Sequence, residues 1–226
     1  MNKKVLAIAP HADDEILGCG ATIAKHIANG DEVFVLIATN AHYGYPERYS
    51  KADIQKVRNE ALSAHKFLGI KKTYFTDFPA PKLDIFSSSE ITDTFLPIFN
   101  EIKPNILYIP HGGDLHLDHT VIYRASLTAA RPIQEYSIES IYVYETLSET
   151  NWAPLQGDQY FKPNLYINVT DYFEKKLKSM SFFTTQIKKF PNSRSLEALE
   201  ALAKYRGSTV GVFYAEAFMI EREIWP

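Results

Sequence analysis

Val5-Leu6-Ala7-Ile8-Ala9-Pro10-His11-Ala12-Asp13-Asp14-Glu15, near the amino terminus, decides how this 226-residue chain folds. Five consecutive apolar residues make a strand buried on both faces. Pro10 ends it, and Ile16–Ala28 has the pattern of a helix, stopped by Asn29-Gly30. Between strand and helix lie one imidazole and three carboxylates. A plain strand-to-helix turn has no need of them.

The same unit recurs along the chain. Val33–Ile37 is a second buried strand, and Ala52–Leu68 a helix stopped by Gly69. Thr73–Phe75 is a short third strand before helical Ser89–Ile102. Ile106–Ile109 is a fourth strand before helical Thr120–Ala130, and Ser140–Tyr144 a fifth. Apolar strands separated by helices predict an α/β, three-layer, doubly wound, Rossmann-like and mostly parallel sheet. Its expected strand order is 3-2-1-4-5. Residues 145–163, with Trp152, Pro154, Gly157 and Pro163, read as a loop of the length substrate lids have. A small irregular C-terminal part is expected after it. That part holds a strand at Leu165–Val169, a helix from a Thr170 cap to about Lys189, a helix over Ser195–Arg206 and a strand near Ala217–Ile220. Residues 1–226 are expected to form one domain.

A second polar stretch, His111-Gly112-Gly113-Asp114-Leu115-His116-Leu117-Asp118-His119, follows the fourth strand. In the expected order the first and fourth strands are neighbours, and their carboxyl ends flank the point where ligands bind. Two distant stretches then face each other. A catalytic zinc takes three protein ligands and keeps an open position. His11 and Asp14, three residues apart at a helix start, can share one ion, with His119 as third ligand. Iron or cobalt suits the same donors. Asp13 is placed to take a proton from water. A protonated His116, kept charged by Asp118, would stabilise an oxyanion. The ordinary alternative for these residues is that they cap helices and face water.

The totals narrow the partners. Lys and Arg number 24 against 27 Asp and Glu, a net charge of −3, so no nucleic-acid footprint is expected. Cys19 is the lone cysteine, which excludes an internal disulfide, suits a reducing cytoplasm and reads as a small packing residue. No apolar run approaches the ~20 residues of a membrane span. Gly18-Cys19-Gly20 lies inside the first helix pattern, away from the turn where a dinucleotide fingerprint belongs.

With these residues in view, Pro10–Glu15 resembles the P/A-H-P-D-D-E motif of the PIG-L/LmbE-like zinc N-deacetylases, and His116–His119 resembles their H-x-D-H motif. Glu60, Ala64 and Leu68-Gly69 fit an E-x3-A-x3-L-G pattern, and Tyr214-Ala215-Glu216-Ala217-Phe218 a closing Y-A-E-x-F. The resemblance implies zinc on His11, Asp14 and His119, Asp13 as general base, and His116 as stabiliser oriented by Asp118. It implies an N-acetylglucosamine-like substrate, free or conjugated, and permits homo-oligomers. There are two departures: Ala12 stands where the family has Pro, and Val57 where it tends to have a substrate-binding Arg. Arg58 is next in line for that role, with Arg48 as its substitute. His42, His111 and Asp114 are further candidates for substrate contact, and the loop aromatics Tyr43, Tyr45, Trp152, Tyr160 and Phe161 for stacking on a sugar. His26 and His65 are expected half-exposed on helices. Two other functions fit the same residues: a metal-dependent amidase acting on a different amide, and a sugar- or nucleotide-binding module without catalysis.

Overall fold

Alternate residues of the first strand feed two different cores, and that alternation sets the layers. The computed structural model describes residues 2–133, 136–153 and 159–225. Strand β1 spans Lys4–Ala9. Val5, Ala7 and Ala9 pack on one face of the sheet, and Leu6 and Ile8 on the other. Helix α1 (Asp14–Ala28) and strand β2 (Glu32–Asn40) follow. A four-residue helix α2 (Ala41–Gly44), absent from the sequence pattern, precedes α3 (Lys51–Leu68). Gly69 stops α3 at φ 94°, a left-handed conformation that glycine adopts without strain. Strand β3 (Lys72–Pro79), helix α4 (Ser88–Ile102), strand β4 (Ile106–Pro110), helix α5 (Leu117–Ala129) and strand β5 (Ser140–Tyr144) complete the winding.

The strand order is β3-β2-β1-β4-β5, as expected, and these strands are parallel. Helices α4 and α5 cover one face through Phe95, Phe99, Ile122 and Ala125. Helices α1 and α3 cover the other, with Ile16, Ile23, Ala61 and Ala64. The three layers are those of a doubly wound α/β fold.

The carboxyl-terminal third is more regular than the sequence pattern suggests. Strand β6 (Leu165–Asn168), helix α6 (Phe173–Met180), helix α7 (Leu196–Val210) and strand β7 (Ala215–Glu223) extend the architecture. β7 runs antiparallel to β5 and carries β6 outside it, so the sheet has seven strands. The helix expected from Thr170 to Lys189 ends at Met180. Beyond it, Thr184 and Thr185 turn their hydroxyls to buried Glu60 on α3, and Phe183 enters the core. Thr side chains that find such partners draw the backbone out of a helix. Thr170 bonds Asn168 and caps nothing. Pro154 and Gly157, in the stretch read as a lid, lie outside the described residues. No described helix is long and apolar enough to cross a membrane.

Candidate metal centre and active-site cavity

The two polar stretches meet because β1 and β4 are hydrogen-bonded neighbours. His11 sits in the turn after β1, Asp14 opens α1, and His119 lies in the first turn of α5. Ligand atoms of His11, Asp14 and His119 all fall within 4.8 Å of one another. Asp14 and His119 are fully buried, and Asp14 Oδ1 and His119 Nε2 have no hydrogen-bond partner. Leaving buried polar atoms unpaired costs about 1–3 kcal/mol each. A divalent cation satisfies both at once, so the donor set fits a metal.

A second set of His11, His116 and Asp118 also has metal-ligand spacing. Its atoms are already in use. Asp118 Oδ2 lies 3.1 Å from His11 Nε2, and Asp118 Oδ1 accepts from the Leu83 amide. The first set is the one with orphaned atoms.

Carboxylates hold both imidazoles from behind. His119 Nδ1 donates to Asp114 Oδ2 at 2.7 Å, and Asp114 Oδ1 accepts from the Thr150 hydroxyl at 2.5 Å. This fixes the tautomer and leaves Nε2 to face the site. On His11 the same part is played by Asp118, leaving Nδ1 directed at Asp14, 3.2 Å away. Burial alone would lower both imidazole pKa values. The Asp118 bond and the Asp14 carboxylate raise that of His11 to about 9. The Asp14 charge and the Asp114 bond raise that of His119 to about 10. Burial opposes ionisation of Asp14, yet His119 and His11 hold its pKa well below the usual carboxylate range. The pocket is therefore built for cationic charge beside Asp14.

Asp13 does not cap α1. Its backbone stands at φ 122° with no side-chain cap bond, an uncommon conformation for a non-glycine residue. Its amide donates to Glu15 Oε2, and Glu15 Oε1 bonds His65, which reaches Thr73. His65 is thus buried rather than half-exposed, tied into the turn that carries Asp13. The Asp13 carboxylate is 1% exposed and accepts from Arg194 Nη1 at 2.8 Å. Burial raises its pKa, Arg194 opposes this, and Asp14 and Glu15 add to it, so it stands near 7. A base poised there is matched to neutral pH.

His116 meets Asp118 through a different contact from the one expected. Its Nδ1 accepts from the backbone amide of Asp118 at 3.2 Å, while the Asp118 carboxylate lies 3.9 Å away and is engaged with His11. Asp118 orients His116 through its main chain. Burial and the neighbouring His11 charge lower the His116 pKa to about 4. This works against the imidazolium that the sequence pattern suggested, and an accepting Nδ1 leaves Nε2 to carry the proton of a neutral ring.

These groups open on a cavity of about 600 Å³ lined by His11, Asp13, His116, Arg58 and Arg194, within the usual size of small-molecule sites. Arg58 reaches it from α3 by pairing with Asp77, which also accepts from Asn40 at 2.9 Å. Arg48 lines the rim as well. His42 is not brought to the cavity; its Nδ1 donates to the Tyr49 carbonyl. His111 is likewise committed to the Gln159 carbonyl. Phe161 is buried in the core, whereas Tyr43 and Trp152 are exposed. Arg194 and Asp77 carried no signal in the sequence, since each is brought in by the fold. Asp114 stood inside the second stretch, and its place five residues before His119 was the available cue.

Residues 6–130, which include every candidate ligand, match the family described as PIG-L: GlcNAc-PI de-N-acetylase. The chain belongs to the PIG-L family. Among proteins similar to it, the "Uncharacterized deacetylase YaiS" of Escherichia coli is 28% identical over 183 residues, covering 79% of this chain and 89% of that protein. The diacetylchitobiose deacetylase of Thermococcus kodakarensis is 24% identical over 225 residues, covering 95% of this chain and 81% of the relative. The crystal structure of the conserved protein TT1542 from Thermus thermophilus superposes with a TM-score of 0.80 at 23% identity, covering 99% of this chain and 97% of that one. That last likeness is one of fold, and it includes the carboxyl-terminal strands.

Proposed function

We propose that this PIG-L protein is a zinc-dependent hydrolase that removes the acetyl group from a small N-acetylated sugar of the N-acetylglucosamine type. One observation carries the reading. Two buried, unpartnered donor atoms, Asp14 Oδ1 and His119 Nε2, converge with His11 beside an aspartate held at φ 122°. The deacetylase relatives supply the bond to be broken, an N-acetyl amide on a sugar.

His11 through Nδ1, Asp14 and His119 through Nε2 are the residues that would hold the ion. When bound, a divalent cation supplies Lewis acidity toward the amide carbonyl and water. Asp13 takes the proton of the attacking water, which forms the new C–O bond. His116 donates its Nε2 proton as a hydrogen bond to the developing oxyanion, a contact typically worth about 100- to 1,000-fold in rate. Asp13 then returns its proton to the nitrogen as the C–N bond breaks, and the acetic acid formed passes its remaining proton to the amine, so that acetate and the ammonium form of the sugar leave. Arg194 keeps the Asp13 carboxylate ionised and aimed. Arg58 on the cavity wall, held by Asp77, and Asn40 beside it suit the hydroxyls of a sugar ring.

The test is acetate release from a panel of N-acetylglucosaminides by the zinc-loaded protein. Release is expected from at least one member, and Asp13→Ala should keep its zinc while losing about 100- to 10,000-fold in turnover. A zinc-loaded preparation that releases no acetate from any of them overturns the proposal.

A further inference from the structure

Helix α1 is broken one turn past the candidate metal ligand, and a buried ion pair fills the break. Cys19 leaves helical geometry at φ −137°, ψ 21°. The interruption strips the helix of its own partners there. The freed amides of Ala21 and Thr22 donate to Glu216 Oε1 and Oε2 at 3.1 and 2.7 Å. The Leu17 carbonyl accepts from Lys176 Nζ at 2.7 Å, and the same ammonium bonds Glu216 Oε1 at 2.6 Å. Both residues are 4% exposed. Lys176 thus caps the short segment that carries Asp13, Asp14 and Glu15, and Glu216 caps the longer one that follows.

We infer that the Lys176–Glu216 pair is a positioning device for the metal-binding turn. The inference rests on the metal reading above. One turn of helix does not hold itself in place, and a residue strained as Asp13 is persists only where its surroundings over-determine it. The segment is gripped at its start by Glu15 on the Asp13 amide and at its end by Lys176 on the Leu17 carbonyl. Gly18 lets the Tyr144 ring press against it, since a Cβ there would lie 2.2 Å from Tyr144 Cδ2. Glu216, the acid of the closing Y-A-E-x-F stretch, acts through α1 and is absent from the cavity lining.

Zinc affinity measured by chelator competition on the full chain tests this. Lys176→Met and the double variant Lys176→Met/Glu216→Gln, which leaves no lone buried charge, are compared with Ile102→Ala. Ile102 is a buried residue of α4 on the opposite face of the sheet, and its variant serves as a destabilised control. All are measured below their unfolding transitions. The pair variants are expected to bind zinc at least about tenfold more weakly than wild type, the scale on which supporting residues act on metal sites, while Ile102→Ala binds as wild type. Pair variants that match the control overturn the inference and leave the metal reading standing. Loss of fold in the double variant alone transfers the test to Lys176→Met. A wild-type chain that binds no zinc overturns the metal reading, and the inference with it.

Discussion

Arg194 Nη1 donates to Asp13 Oδ2 at 2.8 Å, linking residues 181 positions apart. The guanidinium is itself held by the Ser148 hydroxyl and the Gln186 amide oxygen. Glu60 anchors the loop that carries Gln186, through Thr184 and Thr185. Arg194→Gln should therefore lower kcat by about 10- to 100-fold, with zinc content unchanged. Steady-state kinetics and elemental analysis of the variant check this, and an unaltered kcat would remove Arg194 from the machinery.

Asp114 holds His119, a ligand in the proposed metal site. Asp114→Ala leaves the His119 tautomer unfixed and strands the Thr150 hydroxyl that now donates to it. Zinc affinity should fall about 10- to 100-fold. Calorimetric titration of the metal-stripped variant measures it, and an affinity equal to that of wild type speaks against the assignment.

Arg58 lines the cavity, and the proposed function gives it a part in substrate binding. Arg58→Ala should reduce kcat/KM by about 10- to 100-fold, mainly through KM, as expected for losing a hydrogen bond from a charged group. A fall confined to kcat would assign the residue to transition-state stabilisation instead.

Helix α4, on the sheet face away from α1, carries none of the candidate site residues. Phe95 on α4 is fully buried there. Phe95→Ala should cost about 3–5 kcal/mol, and Tm should drop by roughly 2–4 °C for each kcal/mol. Activity per folded molecule at low temperature should persist. A variant that melts with wild type would mean the α4 layer packs otherwise.

The winding was legible because strands buried on both faces carry unbroken apolar runs, whereas the order 3-2-1-4-5 was an expectation taken from doubly wound folds in general, which the sheet bears out. The convergence of the two polar turns was legible because carboxylates and imidazoles at a strand end stand out from their neighbours. What stayed hidden depends on long-range partners. Arg194 and Lys176 look like ordinary surface cations in sequence, and only the antiparallel addition of β7 and the loop after α6 bring their ends inside. The role of Asp118 was half legible. Its nearness to His116 was clear, but the crossing to His11 needs the β1–β4 pairing. The helix expected to reach Lys189 failed for a similar reason, since Glu60 on a distant helix claims Thr184 and Thr185.

Calorimetric zinc titration of the metal-stripped chain and its single-residue variants bears most directly on the convergence of His11, Asp14 and His119. One tight site per chain is predicted for wild type and for Asp13→Ala, and its loss or severe weakening in Asp14→Ala and His119→Ala. Zinc binding that is untouched by either of the last two substitutions would contradict the account.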